Sequence, residues 1–113
     1  MKKEFNIIAN LVEKKSKVLD VGCGDGELMK YINENITNDI RGLEISKSNV
    51  QKCVAKGLTV IEGDAEKDLK QFPNSSFDYV ILSQTLQAFL NPEKVINELL
   101  RIGKQAIVTC LLY

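Results

Sequence analysis

Residues 18–28 read "VLDVGCGDGEL": an apolar run, then three glycines on alternate positions, with carboxylates before, among and after them. A glycine-rich loop between a strand and a helix commonly cradles a phosphate on backbone N–H groups. This loop departs from that pattern. The dinucleotide fingerprint G-x-G-x-x-G needs glycine in sixth place, where Glu27 stands, and the third glycine falls one place early, at Gly26. No lysine followed by serine or threonine closes the run, so it is not a P-loop. Asp20, Asp25 and Glu27 have no lysine or arginine beside them in the loop before Lys30, so a pyrophosphate would meet repulsion. A ligand carrying positive charge suits the loop better. Gly22 and Gly24 let the backbone approach such a ligand closely.

Outward from this loop, short β-rich runs alternate with stretches of helical period, the signature of an α/β sheet. Strands are predicted at 17–21, 39–44, 58–62, 77–83 and 105–111. Ahead of them, Phe5, Ile8, Leu11 and Val12 predict an amphipathic helix over 4–15, with Lys14 and Lys15 at the negative pole of its dipole. Leu28, Met29 and Ile32 supply the buried stripe of the first crossover helix. Val50, Cys53 and Val54 do so for the second, with Gly57 as its left-handed stop. A shorter helix is expected near 65–71. Asn91-Pro92 caps a last helix whose apolar face is Val95, Ile96, Leu99 and Leu100 and which Gly103 ends. Strands joined by right-handed crossovers lie parallel. The expected fold is therefore a Rossmann-like, doubly wound, mostly parallel sheet of five strands in the order 3-2-1-4-5, with helices on both faces. Ligands of such sheets bind beyond the carboxyl ends of the strands, where the loop lies.

The chain has 113 residues, which predicts one domain: an N-terminal helix over 1–16 and an α/β core over 17–113. Lysine plus arginine and aspartate plus glutamate both number 15, so no basic excess recruits nucleic acid or an anionic membrane. The first residues, "MKKEFNIIANLVEKKSK", contain neither a signal-peptide core nor a span, and a cytoplasmic chain is expected. The three cysteines, Cys23, Cys53 and Cys110, are widely spaced, which predicts reduced thiols and no metal site. Histidine is absent, which removes the usual general base and the usual nucleophile pairs. Chemistry must come from carboxylates, a tyrosine or a cofactor.

S-adenosylmethionine (SAM) meets the charge requirement, since it carries a sulfonium and an ammonium and no phosphate. The stretch "VLDVGCGDG" resembles the first motif of class I SAM-dependent methyltransferases, with glycines as G-x-G-x-G. On that resemblance Asp20, Gly22, Cys23 and Gly24 belong to the cofactor site. "RGLEIS" follows about twenty residues later, where Glu44 can accept both ribose hydroxyls, with Ile45 beside it. In "IEGDAEKDL", Asp64 and Ala65 resemble the family's adenine-reading pair, and Asp64 can also cap a helix. "FDYVILSQTLQAF" resembles the fourth-strand motif and implies Ser83 and Gln84 beside the methionine part of SAM or S-adenosylhomocysteine.

The phrases "GDGEL", "FDYVILSQTLQ" and "ELLRIG" resemble the MetW family in particular, which is associated with bacterial methionine biosynthesis. That resemblance implies a class I fold, SAM binding and functional association with a homoserine O-acyltransferase, either as a methyltransferase or as a non-catalytic SAM-sensing subunit. It implies no defined methyl acceptor. MetW-like chains continue past the fifth strand, whereas this one reads "TCLLY" and stops, so a truncated class I fold is expected. Ala106, Ile107, Val108, Leu111 and Leu112 would then form an apolar edge, and self-association through the fifth strand is expected.

Overall fold

The computed structural model describes residues 3–82 and 88–109. In chain order the elements are α1 (Lys3–Leu11), β1 (Val18–Val21), α2 (Glu27–Asn35), β2 (Ile40–Glu44), α3 (Lys47–Ala55), β3 (Val60–Glu62), α4 (Ala65–Asp68, running on into a 3-10 turn, Leu69–Gln71), β4 (Phe77–Leu82), α5 (Pro92–Ile102) and β5 (Gly103–Val108). The strands form one sheet in the order β3-β2-β1-β4-β5, as expected from the sequence. Every pairing is parallel: Val18 stands opposite Ile40 on one side and Tyr79 on the other, Gly42 opposite Val60, and Phe77 opposite Gly103.

The first strand in sequence is thus the middle strand in space, and all four of its residues are buried. Both faces of the sheet are covered, which is why β1 and β4 read as nearly continuous apolar runs. One core gathers Ile8 and Val12 of the N-terminal segment, Leu28, Met29 and Ile32 of α2 and Cys53 of α3 against Val18, Tyr79 and Ile81. The other gathers Leu69 and Val95, Leu99 and Ile102 of α5 against Leu19, Val80 and Leu82. Alternation along β1 puts Asp20 on the side of Val18, toward α2 and α3.

The helix ends follow from their caps. The Ser46 side chain accepts the Asn49 N–H and opens α3, and Asn91 accepts the Lys94 N–H ahead of Pro92 and opens α5. Gly57 takes φ +78 just past α3, the left-handed stop expected of it. Three expectations need correction. Helix α1 ends at Leu11, so Lys14 and Lys15 lie beyond it and do not meet its dipole; Lys15 itself turns the chain with φ +66. Leu11, Val54 and Leu100 are exposed, at 54%, 60% and 61%, because each helix buries a narrower stripe than the sequence pattern offers. Gly103 ends α5 in an extended conformation, φ −111, and is already the first residue of β5. Its glycine serves packing, since an added Cβ would stand 2.7 Å from Val80 Cγ2.

Strand β5 pairs with β4 and, among the described residues, has no second neighbour in the sheet. Ala106, Ile107 and Val108 are half-buried against the two cores, while Leu111 and Leu112 lie outside the described residues. Among the described residues no helix is long and apolar enough to cross a membrane.

Candidate functional site

At the carboxyl end of β1 the chain turns through Gly22 and Gly24, both with positive φ, and enters α2 from Gly26. The turn is tied to the end of β2 by its backbone: the Gly22 and Cys23 N–H groups both donate to the Leu43 carbonyl, at 2.7 and 3.2 Å. Glu44 completes the tie. Its Oε1 accepts the Gly24 N–H at 2.9 Å and its Oε2 accepts the Ser46 N–H at 3.0 Å. The side chain is only 4% exposed, and each oxygen keeps a further lone pair beyond these bonds.

From β3 the chain passes Gly63 into α4. Asp64 caps that helix, its Oδ1 accepting the Glu66 N–H at 2.9 Å, while Asp68 Oδ2 accepts the Asp64 N–H at 2.6 Å. The expected capping role of Asp64 is therefore filled by one oxygen. The other makes no hydrogen bond among the described residues.

Between these turns and the segment ahead of α5 lies a cleft of about 200 Å³. Of the residues singled out from the sequence, Gly22, Glu44, Ile45, Asp64 and Ala65 line it. Asp20, Cys23 and Gly24 stand outside this lining. Cys23 packs inward: its Sγ lies 3.9 Å from Cys53 Sγ, and Gly42 leaves it room, since a Cβ there would come within 2.6 Å. Burial pushes both thiols up from their ordinary range; for Cys23 the nearby Asp20 carboxylate adds to this. These are packing thiols. Gly24 faces open space, with nothing among the described residues within 4 Å of where a Cβ would stand. Ser83 and Gln84 lie outside the described residues.

Asp20 is the electrostatic anomaly of the site. It is fully buried, and neither carboxylate oxygen has a hydrogen-bond partner among the described residues. Burial, reinforced by the Glu44 charge, pushes its carboxyl up to about 7. An unpaired buried carboxylate is costly, and such groups are usually retained where a ligand supplies the missing charge.

The stretch "SQTLQAF", which the sequence places near the cofactor edge, supplies part of the far wall, and Glu66 is a lining residue that sequence reading missed. Ala88, Phe89 and Glu66 also line the cleft, and Glu66 accepts backbone N–H groups from across it. In "AFLNP" the aromatic Phe89 stands two residues ahead of the Asn91 helix cap, at the mouth of the sheet.

The family model described as "Methionine biosynthesis protein MetW" matches residues 2–111. The chain belongs to the MetW family. This MetW-family chain is 34% identical over 110 residues to the "Bifunctional methionine biosynthesis protein MetXA/MetW" of Rhodopirellula baltica, covering 90% of itself and 18% of that protein. It is also 34% identical to "2-methyl-6-phytyl-1,4-hydroquinone methyltransferase 1, chloroplastic" of Oryza sativa, covering 92% of itself and 32% of the relative. The MetW-family chain thus spans a third or less of the length of these relatives. Among solved structures, YcgJ of Bacillus subtilis superposes with a TM-score of 0.79 at 22% identity, over 92% of this chain and 48% of that one. A SAM-dependent methyltransferase from Archaeoglobus fulgidus gives 0.78 at 22%, over 88% and 45%. The fold of this MetW-family chain is that of class I SAM-dependent methyltransferases.

Proposed function

We propose that the cleft binds S-adenosylmethionine or S-adenosylhomocysteine, and that the chain serves methyl transfer linked to methionine biosynthesis. The observation that carries this reading is the convergence of Gly22, Glu44 and Asp64, from three successive strand ends, on one opening that among the described residues is lined by no lysine or arginine. A phosphate-bearing dinucleotide fits such a lining poorly. In this reading Glu44 accepts the ribose hydroxyls through its remaining lone pairs. Asp64 Oδ2 and the Ala65 N–H read the adenine edge, and exposed Ile45 lies along the ring. The unpaired Asp20 carboxylate supplies negative charge behind the loop for the cationic end, and the open face of Gly24 lets that end approach. Two features support the fit of this ligand: an orphaned buried carboxylate and a turn whose missing Cβ leaves free space.

When bound, the cofactor supplies a methyl group activated on sulfur, so the task left to the protein is alignment and exclusion of water. The site assigns no general base and no methyl acceptor.

Calorimetry with SAM, S-adenosylhomocysteine and NAD tests the proposal, with binding expected for the first two. Glu44→Ala is expected to cost on the order of 1.5–3 kcal/mol of binding, as for charged hydrogen bonds. Unchanged affinity in that variant would remove the ribose role.

One observation bears on a partner, the Rhodopirellula relative whose name joins MetXA and MetW in a single chain. It supports functional association with a homoserine O-acyltransferase. Co-purification and an acylation assay, each with and without SAM, are expected to reveal association and a changed rate. Neither effect appearing would count against it.

A further inference from the structure

Glu66 lines the cleft from the first turn of α4, yet its carboxylate is committed elsewhere. Oε1 accepts the Leu90 N–H at 3.0 Å and Oε2 accepts the Asn91 N–H at 2.9 Å. Two consecutive amides are thus held by the two oxygens of one planar group, which fixes orientation as well as distance. The bonds join residues 24 and 25 positions apart, from the β3 side of the cleft to the segment ahead of α5. They draw the Glu66 carboxyl below its ordinary range.

That segment carries Ala88 and Phe89, the far wall. Among the described residues, few other contacts hold it at this end. The Leu90 side chain is 97% exposed and adds no burial, so the backbone is placed by Glu66, by Phe89 packing on the α5 core, and by the Asn91 cap.

We propose that Glu66 is a positioning residue: by clasping the backbone at Leu90 and Asn91 it sets the width of the cleft for its adenosyl ligand. This rests on the reading of the cleft as a SAM site. The clasp is solvent-exposed, so its contribution to global stability is small and its effect falls on the affinity of the folded protein.

The test uses the full chain, with S-adenosylhomocysteine as the probe, in calorimetry and amide-exchange NMR on Glu66→Ala, Glu66→Gln and Glu66→Asp. Glu66→Ala is expected to weaken binding about tenfold, with little change in melting temperature. Glu66→Asp keeps the charge but is one methylene short, and should behave like alanine. Glu66→Gln keeps one acceptor and should fall between alanine and wild type. The Leu90 and Asn91 amides should exchange faster in the alanine and aspartate variants and regain protection when the ligand saturates, as linkage requires. Wild-type affinity in Glu66→Ala, despite fast exchange at both amides, would overturn the proposal. So would wild-type affinity in Glu66→Asp with alanine and glutamine equally weak, which would make charge the cause. An unmutated chain that binds no S-adenosylhomocysteine would overturn the SAM reading itself, an outcome visible before any variant is made.

Discussion

Asp20→Asn is expected to raise the melting temperature of the ligand-free protein at pH 8 while weakening its hold on SAM. Folding raises the Asp20 carboxyl from its ordinary value of 3.8 to about 7, through burial first and the Glu44 charge second. Between those values the unfolded chain has released the proton and the folded chain still holds it. The folded state therefore binds more protons, and stability falls as pH rises through this window. The shift corresponds to a loss on the order of 4 kcal/mol, complete above about pH 7. Asparagine has no such titration. Thermal melts of the two proteins should nearly coincide close to pH 4, diverge as pH rises to 7, and keep a constant separation beyond it. A separation that does not change with pH would show that the carboxyl is not perturbed. The gain in stability would come with lost affinity for a cationic ligand, the trade expected where a destabilised group is kept for binding.

At the loop glycines a second large effect splits by position. Gly26 has φ +91, and an added Cβ would stand 2.6 Å from Leu58 Cδ1 and 3.0 Å from Cys53 Sγ. Gly26→Val therefore combines backbone strain of about 1–2 kcal/mol with overpacking of about 1–3 kcal/mol, a large part of a typical domain's stability. At Gly24 the backbone strain is of the same kind, φ +60, but the added atoms enter open space. Gly24→Val should cost only the strain in stability, yet lose at least about tenfold in affinity for S-adenosylhomocysteine, because the branched side chain stands where the ligand approaches. Denaturant unfolding and calorimetry separate the two effects. A folded Gly24→Val chain with undiminished affinity would place the ligand away from this turn.

Much of this architecture was legible in the sequence because it depends on short-range signals. The apolar runs of β1 and β4, the glycine loop and the Asn91-Pro92 cap each announce themselves within a few residues, and right-handed crossovers then leave few strand orders. Periodicity marks a face but not its depth, which is why the sequence pattern draws Leu11, Val54 and Leu100 into stripes that leave them exposed. The sequence pattern runs α1 past Leu11 because charged residues suit a helix end and a turn equally well, and Lys15 takes the turn. The floor of the cleft was legible for the same reason as the loop: Glu44 ends a recognisable strand and Asp64 follows one. The clasp of Glu66 was not. It joins backbone amides more than twenty residues away, and backbone donors leave no mark in a sequence.

The strand order also sets a sequence of assembly. Val18 meets Ile40 across 22 residues but Tyr79 across 61, and a chain emerging from synthesis exposes the first pairing well before the second. By loop closure alone the longer connection costs only about 1 kcal/mol more, so precedence comes from availability rather than entropy. Gly22, Glu44, Asp64 and Glu66 all precede β4, so the floor of the cleft and its catch are made before the wall they receive. When the segment of Ala88 and Phe89 arrives, the carboxylate that fastens its end at Leu90 and Asn91 is already in the chain.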